Sequence, residues 1–176
     1  MPIYHKVFKD RQAISRVSGN DTNNISDSEF ILIGTGASGT SGDPLTITTD
    51  IPASSASKFL IQSSVHTSGD NANSMYLRFY SGSSFISDSG GLADVGIDTS
   101  MSFGKSHLSV GGSDYGVMNF SGSYLWSPSS ASAQTISVRG MGYADNKTSY
   151  INEGVNTGSQ SYQGTATSYL TVMEVI

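Results

Sequence analysis

Apolar side chains alternate with polar ones over short stretches of this sequence, and Gly, Ser, Asn or Asp closes nearly every stretch. That rhythm marks β-strands joined by turns, because successive side chains on a strand point to opposite faces of a sheet. It is clearest at residues 74–80, SMYLRFY, where Met75, Leu77 and Phe79 alternate with Tyr76, Arg78 and Tyr80. The first three are expected in the core. The other three form a stripe of two tyrosines flanking an arginine, expected on the outside as a solvated face or as a subunit interface, where Tyr and Arg are enriched.

The same pattern predicts strands at 30–33 (FILI), 45–49 (LTITT) and 58–66 (KFLIQSSVH), the last with Phe59, Ile61 and Val65 on one face and Leu60, Gln62 and Ser64 on the other. Weaker strands are expected near 85–86 and 105–110. Two separate strands, 117–120 (VMNF) and 124–126 (YLW), then 133–141, 149–152 and a closing 167–175 (TSYLTVMEV) complete the set. The closing segment is apolar on both sides, so it is expected to lie inside a sheet or under another subunit. Eight to ten short strands without a helical pattern predict an all-β fold, an antiparallel jelly-roll β-sandwich, with an immunoglobulin-like sandwich as the alternative. No fixed internal period points to a propeller or β-helix.

Composition agrees with a folded chain that has an uncharged surface. Charged residues make up 13% of the 176, Ser is the most frequent residue, and Gly occurs 20 times, yet nine Tyr, seven Phe and many β-branched residues set the chain apart from disordered sequences. A length of this order is that of one domain with a core of its own. With no Cys, neither a disulfide framework nor a thiolate metal site can form. There is no signal-like apolar segment at the start and no run of about 18 apolar residues, so no membrane partner is expected.

The charge is uneven. Residues 1–16 carry Lys6, Lys9, Arg11 and Arg16 against Asp10, a net +3, while the whole chain is −5, leaving −8 on the remainder. Residues 18–28, SGNDTNNISDS, read as a linker. The expected organisation is therefore an extended basic N-terminal arm and linker over 1–28 and a sandwich domain over 29–176. The arm, with Tyr4, His5, Lys6, Phe8, Lys9, Arg11 and Arg16, is read as a docking segment for an acidic partner surface or, equally, as a first strand with charges on its solvent side. Four basic residues beside an acidic body make a poor phosphate-binding footprint, so nucleic acid is not expected as a partner.

Nothing in the sequence spells out catalysis. His5, His66 and His107 are too far apart for metal or catalytic-pair spacing, and no strand-turn-helix nucleophile motif occurs. Asp residues sit mostly in Gly/Ser/Asn segments where turn formation accounts for them. The loops at 68–73 and 93–98 match no calcium-binding spacing. The expectation is no enzyme, no cofactor and no metal.

Three segments, KFLIQSSV (58–65), SGSYLWSPSSASAQTISVRG (121–140) and SYLTVMEV (168–175), resemble in order a pattern found in structural proteins of tailed phages of marine and cyanobacterial hosts. The resemblance spans roughly residues 29–176, and Trp126 stands where the pattern usually has Asp. Such proteins are similar to the trimeric jelly rolls of the tumour-necrosis-factor and complement-head type, and serve as capsid cement or decoration proteins, knobs or fibre tips. The resemblance implies a homotrimer on the capsid surface of a virion, assembled in the host cytoplasm, with the major capsid protein or another virion protein as partner. It places Tyr76, Arg78, Tyr80, Trp126 and Tyr169 as candidate subunit-interface residues, because packing about an axis would use the aromatic side chains. A cement role is expected over a fibre tip because no shaft-like repeat is present; a host surface glycan remains the partner expected of the tip alternative.

Overall fold

The computed structural model describes residues 2–10, 12–15, 30–34, 44–69, 75–86, 118–142, 148–152 and 166–176. Among these residues there are eleven strands and no helix: β1 (Ile3–Phe8), β2 (Gln12–Ser15), β3 (Ile31–Leu32), β4 (Thr46–Thr48), β5 (Lys58–Gly69), β6 (Met75–Ser81), β7 (Ser84–Phe85), β8 (Met118–Trp126), β9 (Thr135–Gly142), β10 (Thr148–Ile151) and β11 (Ser168–Val175). All pairings are antiparallel, and they divide the strands into two sheets.

Several strands are halves of one longer row. In sheet A, β11 lies along residues 58–64 of β5 and β10 along residues 67–69, both on the same edge, while β8 occupies the other edge. Outside this row, β1 pairs with β11 and β2 with β10. In sheet B, β3 and β4 share one edge of β9, and β6 and then β7 follow on the other. The Ile33 N–H donates to the Val138 carbonyl at 3.1 Å, and the Val138 N–H donates to that of Leu45 at 3.1 Å, so the β3/β4 row continues across the interval between its halves. Counted among the described residues, the rows pair first with last, second with seventh, third with sixth and fourth with fifth.

One core fills the space between the sheets. Phe59, Ile61 and Val65 of β5 and Leu170 and Val172 of β11 meet Leu77 and Phe79 of β6 and Ile136 and Val138 of β9. These side chains are almost wholly buried, and each contributes on the order of 1.5–3 kcal/mol by leaving water. The alternation expected at 58–66 and 74–80 is what sets this layer. The closing strand lies inside its sheet, between β1 and β5.

Two expectations are corrected. The segments 117–120 and 124–126 form one nine-residue strand, β8, running through Ser121, Gly122 and Ser123. Its pairing with β5 from Phe59 to Thr67 overrides the turn propensity of these residues, and both serines sit on the solvent side, where polarity suits a strand. The extended arm is likewise not a separate unit: β1 and β2 are the edge row of sheet A, with Phe8 and Ile14 in the core. Of the two readings of the basic segment, the first strand describes the fold, but Lys6 lies on the core-facing side of that strand and not on its solvent side. The linker expected at 18–28 and the strand expected at 105–110 lie outside the described residues.

Two rows of sheet A break at the same level, and Asn152 stitches the break. Its backbone takes φ +59°, a left-handed conformation that Asn tolerates better than most residues. Its N–H donates to the His66 carbonyl at 2.8 Å, and its side-chain amide donates to the carbonyls of Phe8 at 2.8 Å and Asp10 at 3.1 Å. The Ser168 hydroxyl donates to its Oδ1 at 2.6 Å and accepts from the His66 N–H at 3.0 Å. The end of β1, the end of β10 and the start of β11 are thus tied to β5 by one buried side chain and its serine partner.

Candidate functional site

Each sheet has an inner face on the core and an outer face, and the two outer faces differ in chemistry. On sheet B, Tyr76, Arg78 and Tyr80 point away from the core, as their alternation requires, yet they are 1%, 7% and 0% exposed. Phe30, Met141 and the half-buried Phe85 cover them. The Arg78 guanidinium lies between two rings, 4.4 Å from the centroid of Phe30 and 4.6 Å from that of Phe85. Arg139, the cross-strand partner of Arg78, stacks 4.3 Å from the Tyr80 ring and donates from Nη2 to the Gly82 carbonyl at 2.9 Å. Gly82 makes this cage possible. With φ +59° it begins the two-residue turn between β6 and β7, and the tight hairpin lays Phe85 directly opposite Tyr80.

The Tyr76, Arg78 and Tyr80 stripe is therefore a second, smaller core of the subunit, and its placement at a subunit interface or on a solvated surface is corrected. Alternation alone cannot show this, because Phe30 and Met141 come from distant parts of the chain and Phe85 covers Tyr80 only once the hairpin after β6 folds back. Trp126 faces the inner side of β8, half-buried, with its ring centroid 6.2 Å from that of Phe59. Of the five candidate interface residues, Tyr169 alone is an exposed large side chain, at 39%.

On β1 the side chains divide by parity. Tyr4 and Phe8 pack towards the core, and Lys6 shares their side, half-buried; Ile3, His5 and Val7 take the other side. Lys9 is exposed just beyond the strand, and Arg11 and Arg16 lie outside the described residues. The candidates brought together are His5 and Tyr169, whose rings stack at 5.8 Å, with His5 Nδ1 2.8 Å from the Thr171 hydroxyl.

The outer face of sheet A is the feature that sequence reading missed. Across its four rows, Ile3, Met173, Leu60 and Leu125 are successive direct partners and form a continuous apolar line. Ile3 is 60% and Leu125 49% exposed, with Met173 and Leu60 half-buried between them. The next line, His5, Thr171, Gln62 and Ser123, is polar, and the one after it is Val7, Tyr169, Ser64 and Ser121. Beyond these, Asn119 donates to the Ser64 hydroxyl at 2.6 Å and sits 2.9 Å from His66 Nε2. No Asp, Glu or Arg stands in these lines; Lys58 marks one corner, opposite Val175. The signal was present as the odd positions of 3–7, 119–125 and 169–175 and the even positions of 58–66, but it becomes one surface only when the register is known.

At the end of the sandwich near this apolar line, two acids serve the fold. Glu174 is turned inward and accepts from the Ala53 N–H at 2.7 Å. The Ser57 hydroxyl and that N–H hold its carboxyl below the usual carboxylate range. Tyr4 donates to Asp50 Oδ2 at 3.0 Å and accepts from the Asp50 N–H at 3.0 Å; burial, reinforced by Asp50, raises its phenol above the ordinary value. Among the described residues no three of His, Cys, Asp and Glu gather as metal ligands would, and no helix is long and apolar enough to cross a membrane. No known protein family matches this chain, and no curated protein matches it in sequence.

Proposed function

We propose that this protein is a virion structural subunit, a cement or decoration protein that associates as a homotrimer of jelly rolls on the head of a tailed phage, and that it performs no catalysis. The observation carrying this reading is the nested pairing of rows, first with last through fourth with fifth, across two sheets. Such nesting across two sheets is what a jelly roll would give, and so supports that reading; the phage proteins that segments 58–65, 121–140 and 168–175 resemble have that architecture. Low charge overall and a wide outer face whose described lines hold no Asp, Glu or Arg further support a role in assembly over one in chemistry.

In this reading the major capsid protein or another virion protein is the partner, and the subunit is assembled in the host cytoplasm before taking its place on the capsid surface. Quantitative mass spectrometry of purified particles tests it. An abundant head component supports the reading; a few copies per particle, or none, refute it.

A second reading, a fibre or spike tip that holds host carbohydrate, draws on one observation. The exposed Tyr169 ring lies among the hydroxyls and amide of Thr171, Gln62 and Ser121, the combination of apolar ring and neutral polar groups that sugars offer a surface for. Binding of the purified protein to host polysaccharide, lost in Tyr169→Ala, would favour this reading over the first.

A further inference from the structure

We propose that the outer face of sheet A, centred on Met173 and Leu60, is the surface through which copies of this chain contact one another. The proposal rests on the self-associating reading above and names the face responsible for it.

Three observations support it. The first is the absence of carboxylates, among the described residues, from the outward positions of this face. The chain carries 14 acidic residues and a net charge of −5, so identical copies repel at ordinary distances. Outward-facing positions on four rows of strand without one Asp, Glu or Arg offer the approach at which that repulsion costs least, and depletion of charge is what marks the core of a protein interface.

The second is the continuity of the apolar line. Single exposed apolar residues are ordinary on a protein surface, but Ile3, Met173, Leu60 and Leu125 are neighbours in register across the full width of the sheet. Their exposure rises towards both edges, where a neighbouring subunit would reach them first. The polar lines that follow, with their hydroxyls, amides and imidazoles, supply the hydrogen-bonding rim of such a contact.

The third is area. The strands β1, β11, β5 and β8, of 6, 8, 12 and 9 residues, at about 3.3 Å per residue and about 4.8 Å per row, together cover an area equal to roughly 19 by 30 Å. Each copy thus offers on the order of 570 Å², and a pair of contacting copies about 1,100 Å², above the roughly 1,000 Å² that a specific interface needs. Three such faces turned towards a common axis would bring the apolar lines of three subunits together and leave the caged Arg78 face of sheet B on the outside.

Sedimentation velocity of the full chain tests the proposal, with circular dichroism to confirm that each variant keeps its β fold. Leu125→Lys and Ile3→Lys place a charge at either end of the apolar line, at positions exposed enough to leave the fold intact. Gln62→Glu does the same in the neighbouring polar line and serves should either lysine variant fold poorly. Ser84→Lys on β7 is the control on the far sheet. The expected result is a wild-type and Ser84→Lys oligomer, with association weakened roughly tenfold or more in the sheet A variants, since an unpaired charge would be buried at the contact. An oligomer indifferent to all the sheet A variants would overturn the choice of face while leaving self-association standing. A wild-type chain that stays monomeric at high concentration would overturn both.

Discussion

Replacing Asn152 with Ala should be the most damaging single change of a polar side chain in the described fold, and the structure allows its cost to be divided. The amide of Asn152 donates to two carbonyls, Phe8 at 2.8 Å and Asp10 at 3.1 Å, and its Oδ1 receives the Ser168 hydroxyl at 2.6 Å. Asn152 and Ser168 are 1% and 0% exposed, so water cannot easily take over these bonds. Leaving buried partners unsatisfied costs about 1–3 kcal/mol. The backbone at φ +59° adds about 1 kcal/mol, because a Cβ without the local hydrogen bonds of Asn resists the left-handed region. The expected loss for Asn152→Ala is therefore about 2–4 kcal/mol, which for a chain of this size lowers Tm by very roughly 5–15 °C. Asn152→Gly isolates the hydrogen-bond part, since Gly adopts that conformation without strain, and should be less damaging than Ala by about 1 kcal/mol. Urea unfolding followed by circular dichroism measures both. A loss under about 0.5 kcal/mol for Asn152→Ala, or a Gly variant no better than Ala, would refute the stitching role.

Other consequences can be checked on the same protein. Deleting residues 1–16 removes the edge row of sheet A together with Phe8 and Ile14, and should yield an unstable or insoluble chain; a truncated protein with native circular dichroism would show that the row is dispensable. Because the Glu174 carboxyl is held below its ordinary range, its contribution is present above the unfolded pKa and is lost as pH falls through the lower folded value. Thermal melts of Glu174→Gln should accordingly show a shallower acid dependence than wild type, and superimposable acid limbs would contradict the assignment. Arg78→Lys keeps the charge but loses the flat stacking on Phe30 and Phe85, and should cost about 1–2 kcal/mol in urea unfolding. Wild-type stability in that variant would mean the cage does not depend on the guanidinium plane.

The sequence revealed the inner layer of the sandwich more completely than anything outside it. Leu77 and Phe79 announce themselves by alternation, and the residues that oppose them across the core obey the same local rule. Tyr76, Arg78 and Tyr80 look like a surface stripe because nothing near them in the chain says that Phe30 and the 82–86 hairpin fold over them. The basic residues of 1–16 drew attention to charge, whereas the row's place in the fold is set by Phe8 and Ile14 and by backbone pairing that any sequence can make. Ser121, Gly122 and Ser123 read as a turn because turn propensity is local and the β5 ladder that straightens them is not. The outer face of sheet A was least visible for a related reason. Its apolar line is assembled from one residue in each of four rows, and no stretch of sequence contains more than one of them.

The claim on which the functional account turns is that this chain is part of a particle's shell. A cryo-electron microscopy map of the intact phage at modest resolution would test that most directly. The account predicts repeated three-fold knobs of two-sheet density on the outer surface of the head, seated on the major capsid protein. Density for this fold at the tail tip, or a head surface bare of it, would contradict the account.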